Sequence, residues 1–362
     1  MKSVQAILVP LLLAVCSCRT TDTSAPGSQA GGAAGLGGSS DGTGGLKIID
    51  VGPTEPFDAP DCHHPAVEPK CSDGWCEIPA GCYVKGSPPN EWDRGLYSEE
   101  RVAVTITRAF LIGQYEVTQE EWMAQGLPNP SKKFDTGPSA GKGDCTDNPR
   151  CPVGNIRWFE AVAFANLLSE RHDPPLAPCY QLHGCSGELG KAMNCEAATI
   201  ATPTVYECEG FRLPTDAEWE YAARAGTHTA LYSGDITVYE EYRSNRTACL
   251  PDANLELIGW YCHNAGGVTR PVGLLQPNAW GLHDTAGNAG EWLTDHLTGR
   301  SPEPPAVDPG GTVELFKSRI IRGGSAFSWA PVCRSSAKLD LTWDFLRPAT
   351  GFRLARTIHS KQ

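Results

Sequence analysis

The 362-residue sequence has no run of lysine and arginine, no Cys-x-x-Cys and no His-x-x-x-His. From Trp75 onward it also lacks a Gly-x-Ser-x-Gly elbow. Each absence removes a class of function. Without a basic cluster, and at a net charge of −12, the chain lacks the electrostatic footprint of a nucleic-acid binder. Without Cys-x-x-Cys it lacks the ligand spacing of a zinc knuckle or a thioredoxin-like redox site. The histidines, from His63 and His64 to His296, are scattered and read as surface or loop residues. Ser325 belongs to a Gly-Gly-Ser turn rather than to a hydrolase elbow. No solenoid-like repeat is present.

Long apolar runs are also scarce. Ala6–Val15 holds ten residues, short of the roughly 20 that a membrane-spanning helix needs. With Lys2 ahead of it and small residues behind it, this run completes an export signal over residues 1–18. Val15-Cys16-Ser17-Cys18 resembles a lipobox, in which Cys18 is lipidated and becomes the new N-terminus. Cys16 is the other acceptor, disfavoured by the bulk of Val15, and an ordinary cleaved signal is the alternative to lipidation. Arg19 stands where an Asp would retain a lipoprotein in the inner membrane. The expectation is an outer-membrane or cell-surface lipoprotein that meets the membrane only through its lipid; a periplasmic or secreted protein is the alternative. Residues 19–74, rich in Gly, Ser and Pro, read as a flexible tether, because they cannot bury enough apolar area to offset their ordering entropy.

Cysteine, in contrast, is plentiful. Without Cys16 and Cys18, thirteen of the 15 remain, the usage of an oxidising compartment. Close spacings group Cys71 with Cys76 and Cys82, Cys145 with Cys151, Cys179 with Cys185, Cys195 with Cys208, and Cys249 with Cys262. Twelve lie between Cys62 and Cys262, enough for six bridges, which leaves Cys333 unpaired. Connectivity stays open at this level. The stretch Cys179–Cys208 reads as a disulfide-braced insertion. Helix signals are few. Thr118 and Glu121 make a capping box for a short helix ending before Gly126. Trp158, Ala161, Val162, Ala165 and Leu168 form one apolar helical face, with Glu160, Ser169 and Glu170 elsewhere. Thr215 caps a third helix, Glu218 reciprocates and Gly226 ends it. Ala103–Ile112, rich in β-branched residues, reads as a strand.

Five blocks occur in order: Ile78-Pro79-Ala80-Gly81 through Gly86-Ser87; Glu116-Val117-Thr118; Arg212 to Gly226; Pro271-Val272-Gly273 through Gly281-Leu282 to Glu291-Trp292; and Arg322-Gly323-Gly324-Ser325 through Gly351-Phe352-Arg353. Together they resemble the formylglycine-generating enzyme, or sulfatase-modifying factor, family over residues 75–357. The resemblance implies one compact, disulfide-braced α+β domain, C-type-lectin-like, with little regular secondary structure and bound calcium. Asp284 and Glu291 lie seven positions apart around a Gly-Asn turn, a spacing that suits an ion needing six to eight oxygens. The resemblance assigns the ligands as the Asp284 and Glu291 side chains and the Gly287 and Ala289 carbonyls. The alternative is a turn in which Asp284 and Glu291 only cap backbone amides. Asn245 and Asn264 are candidates for a second calcium site.

The family's oxidases hold copper(I) between two thiolates and use oxygen to turn the cysteine of a Cys-x-Pro-x-Arg peptide into formylglycine. Ser328 occupies the first of those places here, and a hydroxyl is a poor copper(I) ligand. Cys333 aligns without a gap to the second and is the candidate catalytic residue. A gapped alignment instead matches Arg334-Ser335-Ser336-Ala337-Lys338 to the family's Arg-x-Ala-x-Arg and leaves Cys333 outside the pair. The expectation is a ligand- or peptide-binding module without copper chemistry, its protein or peptide partner seated in the family's substrate groove. The alternatives are an oxidase acting through Cys333 and a purely structural surface lipoprotein.

Overall fold

A computed structural model describes residues 46–359, apart from 53–56, 60, 96–98, 132–144, 146–147, 298–301, 312 and 314–316. The export signal, the lipobox with Cys16 and Cys18, and the first part of the tether lie outside the described residues. Gly45–Gln362 forms one unit. No helix among the described residues is long and apolar enough to cross a membrane.

Helices form where the sequence caps them. Helix α1 spans Gln119–Ala124 and α2 spans Trp158–Arg171. Helix α3 spans Asp216–Arg224; α4 (Ala253–Glu256) and α5 (Cys262–Ala265) are single turns. At α1, Glu121 N donates to Thr118 Oγ1 at 3.2 Å while the Glu121 carboxylate accepts from Thr118 N at 2.8 Å. Thr215 and Glu218 repeat the box at α3. That helix ends with Ala225 in the left-handed region at φ 44°, one residue before Gly226.

The strands are short and fall into three small sheets and a hairpin. Cys71–Ser72, Trp75–Ile78, Phe110–Gly113 and Ala355–Thr357 make an antiparallel sheet with Ala355–Thr357 at one edge. Leu339–Thr342, Ser318–Arg322, Gly290–Trp292 and Thr350–Gly351 make a second, its last pair parallel. Gly81–Lys85, Val102–Ile106 and Ala306–Val307 make the third. Ala103–Ile112 is therefore two strands in different sheets rather than one. Thr107 N donates to Asp308 Oδ1 at 2.7 Å, and the chain bends there.

Two other expectations change. The tether does not run to residue 74. Cys62 is bridged to Cys82, Cys71 to Cys76, and the His64 ring stacks on Trp280 at 5.2 Å. Local covalent and aromatic contacts thus pin the Pro-rich lead-in to the domain. Of the three residues off the apolar face of helix α2, only Glu170 is exposed. Glu160 and Ser169 are both buried. Glu160 Oε1 accepts from Gly190 N at 3.0 Å and Ala192 N at 3.1 Å, because the Cys179–Cys208 insertion folds over it.

Five disulfides brace these loops. Cys71–Cys76, Cys145–Cys151 and Cys249–Cys262 follow the close spacings. Cys62–Cys82 and Cys185–Cys195 do not. The hairpin Tyr180–His183/Ala197–Ile200 sets Cys185 opposite Cys195 beyond its strand ends, so neither Cys179–Cys185 nor Cys195–Cys208 forms. Among the described cysteines, Cys179, Cys208 and Cys333 are free thiols, three rather than one.

The centre is polar as well as apolar. Arg322 reaches Asp216 Oδ1 at 2.6 Å and Glu220 Oε2 at 2.8 Å. Glu220 Oε1 accepts from Arg224 Nε at 2.9 Å, and Asp216 Oδ2 faces Lys85 at 2.8 Å and Lys338 at 3.1 Å. Burial pushes both carboxyls up, but the surrounding cations outweigh it and hold each below its usual range. Removing one member leaves an uncompensated buried charge, so Glu220→Ala is expected to cost about 3–5 kcal/mol in urea unfolding. A depressed carboxyl binds fewer protons folded than unfolded. Its contribution is therefore complete above the ordinary glutamate value of 4.5 and lost as pH falls below it. Acid titration of stability should show a shallower slope for Glu220→Gln than for the wild type.

Candidate functional site

The strand Ser318–Arg322 delivers the chain into the turn that carries Ser328 and Cys333. Gly323 and Gly324 sit at φ 85° and 71°. A Cβ on Gly324 would meet Cys333 Sγ at 2.7 Å, so glycine is required there. Ser325 N donates to Ser328 Oγ at 3.0 Å, and the two hydroxyls lie 3.2 Å apart. Ser328 O accepts from Cys262 N in α5 at 3.0 Å. Ser328 thus closes the turn, leaving Phe327 47% exposed at its apex.

Cys333 ends the single turn of 3-10 helix Ala330–Cys333 and is fully buried, in a cluster with Leu231, Ile236, Leu255, Ile258 and Tyr261. Burial pushes its thiol up to about 12. A reactive cysteine needs exposure and a depressed pKa. Cys333, the candidate catalytic residue, has neither: it packs as a small apolar side chain. Beside it Arg334 pairs with Glu99 at 2.8 Å and with Glu91, so the next side chain is also spent on structure.

The second candidate constellation is more concentrated. Asp284, Gly287 and Ala289 lie in one buried loop that runs into Glu291 of the strand Gly290–Trp292, with Asp284, Gly287 and Asn288 at φ 58°, 84° and 55°. Arg353 grips Glu291 through Nε at 2.6 Å and Nη2 at 2.7 Å. Trp219 Nε1 adds a third bond at 2.7 Å. Asp284 Oδ2 accepts from Gly273 N at 2.7 Å, while its Oδ1 is buried without a hydrogen-bond partner. Glu116, from the second sequence block, accepts from Ala289 N at 2.7 Å and Asn288 Nδ2 at 2.8 Å. Burial pushes the Asp284 carboxyl up to about 6. Burial, then Asp284 and Glu291, raises Glu116 well above the usual range. Three carboxyls therefore lie near one guanidinium, which bonds Glu291 directly. In the sequence Glu116 and Arg353 stand out only as members of their blocks; their roles depend on contacts 173 and 62 positions apart, respectively. Asn264, a candidate for a second site, instead donates Nδ2 to Gly259 O at 2.9 Å and accepts from Tyr261 N. Asn245 Oδ1 accepts from Thr247 N at 3.2 Å.

A pocket of about 410 Å³ opens elsewhere, between the C-terminal ends of α1 and α2 and the central sheet. Trp75, Tyr115, Phe164 and Phe211 give it aromatic walls. At its rim Arg171 donates to Gln125 O at 2.9 Å.

A fold of short sheets, capped helices and braced loops, closed by a Gly-Gly-Ser turn and a Gly-Phe-Arg return, defines a class. The sequence model of the Sulfatase-modifying factor enzyme 1-like domain matches residues 65–358, and the chain belongs to that family. Chaperone protein LppX of Paenibacillus barcinonensis is 30% identical over 285 residues, 73% of this chain and 85% of that one. The formylglycine-generating enzyme of Mycobacterium tuberculosis is 32% identical over 306 residues, 76% of this chain and 95% of that one. Among solved structures, Treponema denticola variable protein 1 superimposes with a TM-score of 0.58 at 28% identity, covering 78% of this chain and 94% of that one. PvdO from Pseudomonas aeruginosa, at 22% identity and TM-score 0.55 over 78% of this chain and 94% of that one, shares the fold.

The burial of Cys333 makes its own prediction. In native protein its alkylation by iodoacetamide should proceed only as fast as the domain opens, and denaturant should release it. Rapid native labelling mapped to Cys333 would contradict its placement in the core.

Proposed function

We propose that this protein is an exported, envelope-anchored member of the family that binds a peptide or protein ligand and performs no copper-dependent cysteine oxidation. The observation that carries the reading is the state of the two side chains that the ungapped match sets against the family's thiol places. Ser328 Oγ is committed to the turn, and the Cys333 thiol is buried and protonated at neutral pH. Soft thiolate ligands are what copper(I) selects, and this turn presents none. The five disulfides suit an oxidising, exported setting. The relative described as a chaperone supports a role in handling another polypeptide. The aromatic pocket at Trp75 and Phe211 falls within the size range of ligand sites.

The test has two arms. The purified domain, titrated with copper(I) and given a Cys-x-Pro-x-Arg peptide with oxygen, should produce no formylglycine, and any copper bound should survive Cys333→Ala. Conversion of the peptide, or tight stoichiometric copper lost on Cys333→Ala, would return the oxidase reading. A reduced, alkylated and permanently unfolded protein should bind at micromolar concentration, with Phe211→Ala weakening it severalfold. No binding would favour a purely structural lipoprotein.

Calcium at the Asp284–Glu291 loop forms a second part of the proposal. The residues fit the ion in part. Asp284 Oδ1 is a buried oxygen without a hydrogen-bond partner, and the Gly287 and Ala289 carbonyls are the backbone ligands the family pattern names. Glu291 would bind only by sharing with Arg353 and Trp219. When bound, the ion would supply fixed positive charge to a carboxylate cluster. An ion held only by the folded state stabilises it by about 2.7 kcal/mol at a hundred times its Kd. Chelation should therefore lower the melting temperature, and Asp284→Ala should erase the difference.

A further inference from the structure

Cys179 and Cys208 stand apart from the other free thiol because they stand together. Both are buried in the largest apolar cluster. The two side chains interact, each shifting the other's ionisation. Cys208 Sγ is 3.9 Å from Cys179 O, and Cys179 Sγ is 3.5 Å from Gly210 O. Thr202 Oγ1 approaches Cys208 Sγ at 3.2 Å, which places a hydroxyl against the thiol most inclined to ionise. The pair also occupies a particular place in the fold. Cys179 immediately precedes the hairpin Tyr180–His183/Ala197–Ile200, whose far end is closed by Cys185–Cys195. Cys208 is where the insertion rejoins the domain, three residues before the pocket wall Phe211.

We propose that Cys179 and Cys208 are a covalent modification site, oxidised to a sixth disulfide that closes the base of the insertion as Cys185–Cys195 closes its tip. The oxidant is a protein disulfide of the thiol-oxidoreductase class, or any small disulfide that reaches the folding chain. One thiolate attacks the oxidant's disulfide, forming a mixed disulfide and releasing the oxidant's first sulfur as thiolate. The second cysteine then attacks that mixed disulfide, forms the Cys179–Cys208 bond and releases the oxidant's other sulfur. Two electrons pass to the oxidant and two thiol protons to water. Interaction with Cys179 lowers the Cys208 thiol to about 7, which suits it to the attacking role. Bridging a loop of sequence separation 29 removes freedom mainly from the unfolded chain. It also leaves Cys333 as the one thiol among the described cysteines.

Peptide mapping decides it. Exported full-length protein, incubated with oxidised glutathione, is denatured with iodoacetamide present and no reductant, then digested. The expected result is a linked peptide pair joining Cys179 to Cys208, with alkylation confined to Cys333. Alkylation of both Cys179 and Cys208 while the five other bridges stay intact would overturn the proposal, as would either cysteine bridged elsewhere. The double variant Cys179→Ala, Cys208→Ala should melt on the order of 5–10 °C below the oxidised wild type. Identical melting temperatures would remove the bracing role.

Discussion

The buried ion-pair network around Arg322 is the joint on which the domain turns. Its guanidinium bonds Asp216 and Glu220 of α3 while its backbone pairs with Glu291 in the second sheet. The same residue opens the Gly-Gly-Ser turn. One desolvated cation thus fixes the third helix, the carboxylate loop and the turn in relation to one another. Lys85 extends the network to the third sheet and Lys338 to the chain beyond Cys333. Such clusters are stable only when every partner is present, because each charge left alone in the interior costs several kcal/mol. Around this joint the chain can afford short strands and long loops.

That polar centre explains how the family frame holds its shape independently of the residues at the Ser328 turn. Arg322, Gly323, Gly324 and Arg353 are demanded by packing and charge. Ser328 and Cys333 are each absorbed locally: one hydroxyl fits the turn's hydrogen bonds, and one thiol fits an apolar cluster. Replacing a thiolate with a hydroxyl removes a soft ligand but leaves a good turn former. The turn serves as architecture, and a separate pocket is walled by Trp75 and Phe211.

Much of the fold was legible in the sequence. Both capping boxes were visible because Thr and Glu three residues apart make reciprocal bonds within one turn. The order of blocks identified the family, and cysteine abundance identified a braced chain. Ala103–Ile112 misled because β-branched residues mark extended backbone without saying where it bends. The burial of Glu160 was not legible, because it depends on an insertion 30 residues away that supplies backbone N–H groups to its carboxylate.

The sequence by itself determined the local elements, the family and the number of sulfurs available. Those follow from neighbours in the chain, whose contacts are fixed by spacing. Tertiary structure decided which sulfurs meet, that Glu291 is gripped by Arg353, and that Cys333 lies in the core rather than in a groove. A pKa, a bridge or a ligand set depends on atoms brought together from distant positions, and burial sets the energy of each.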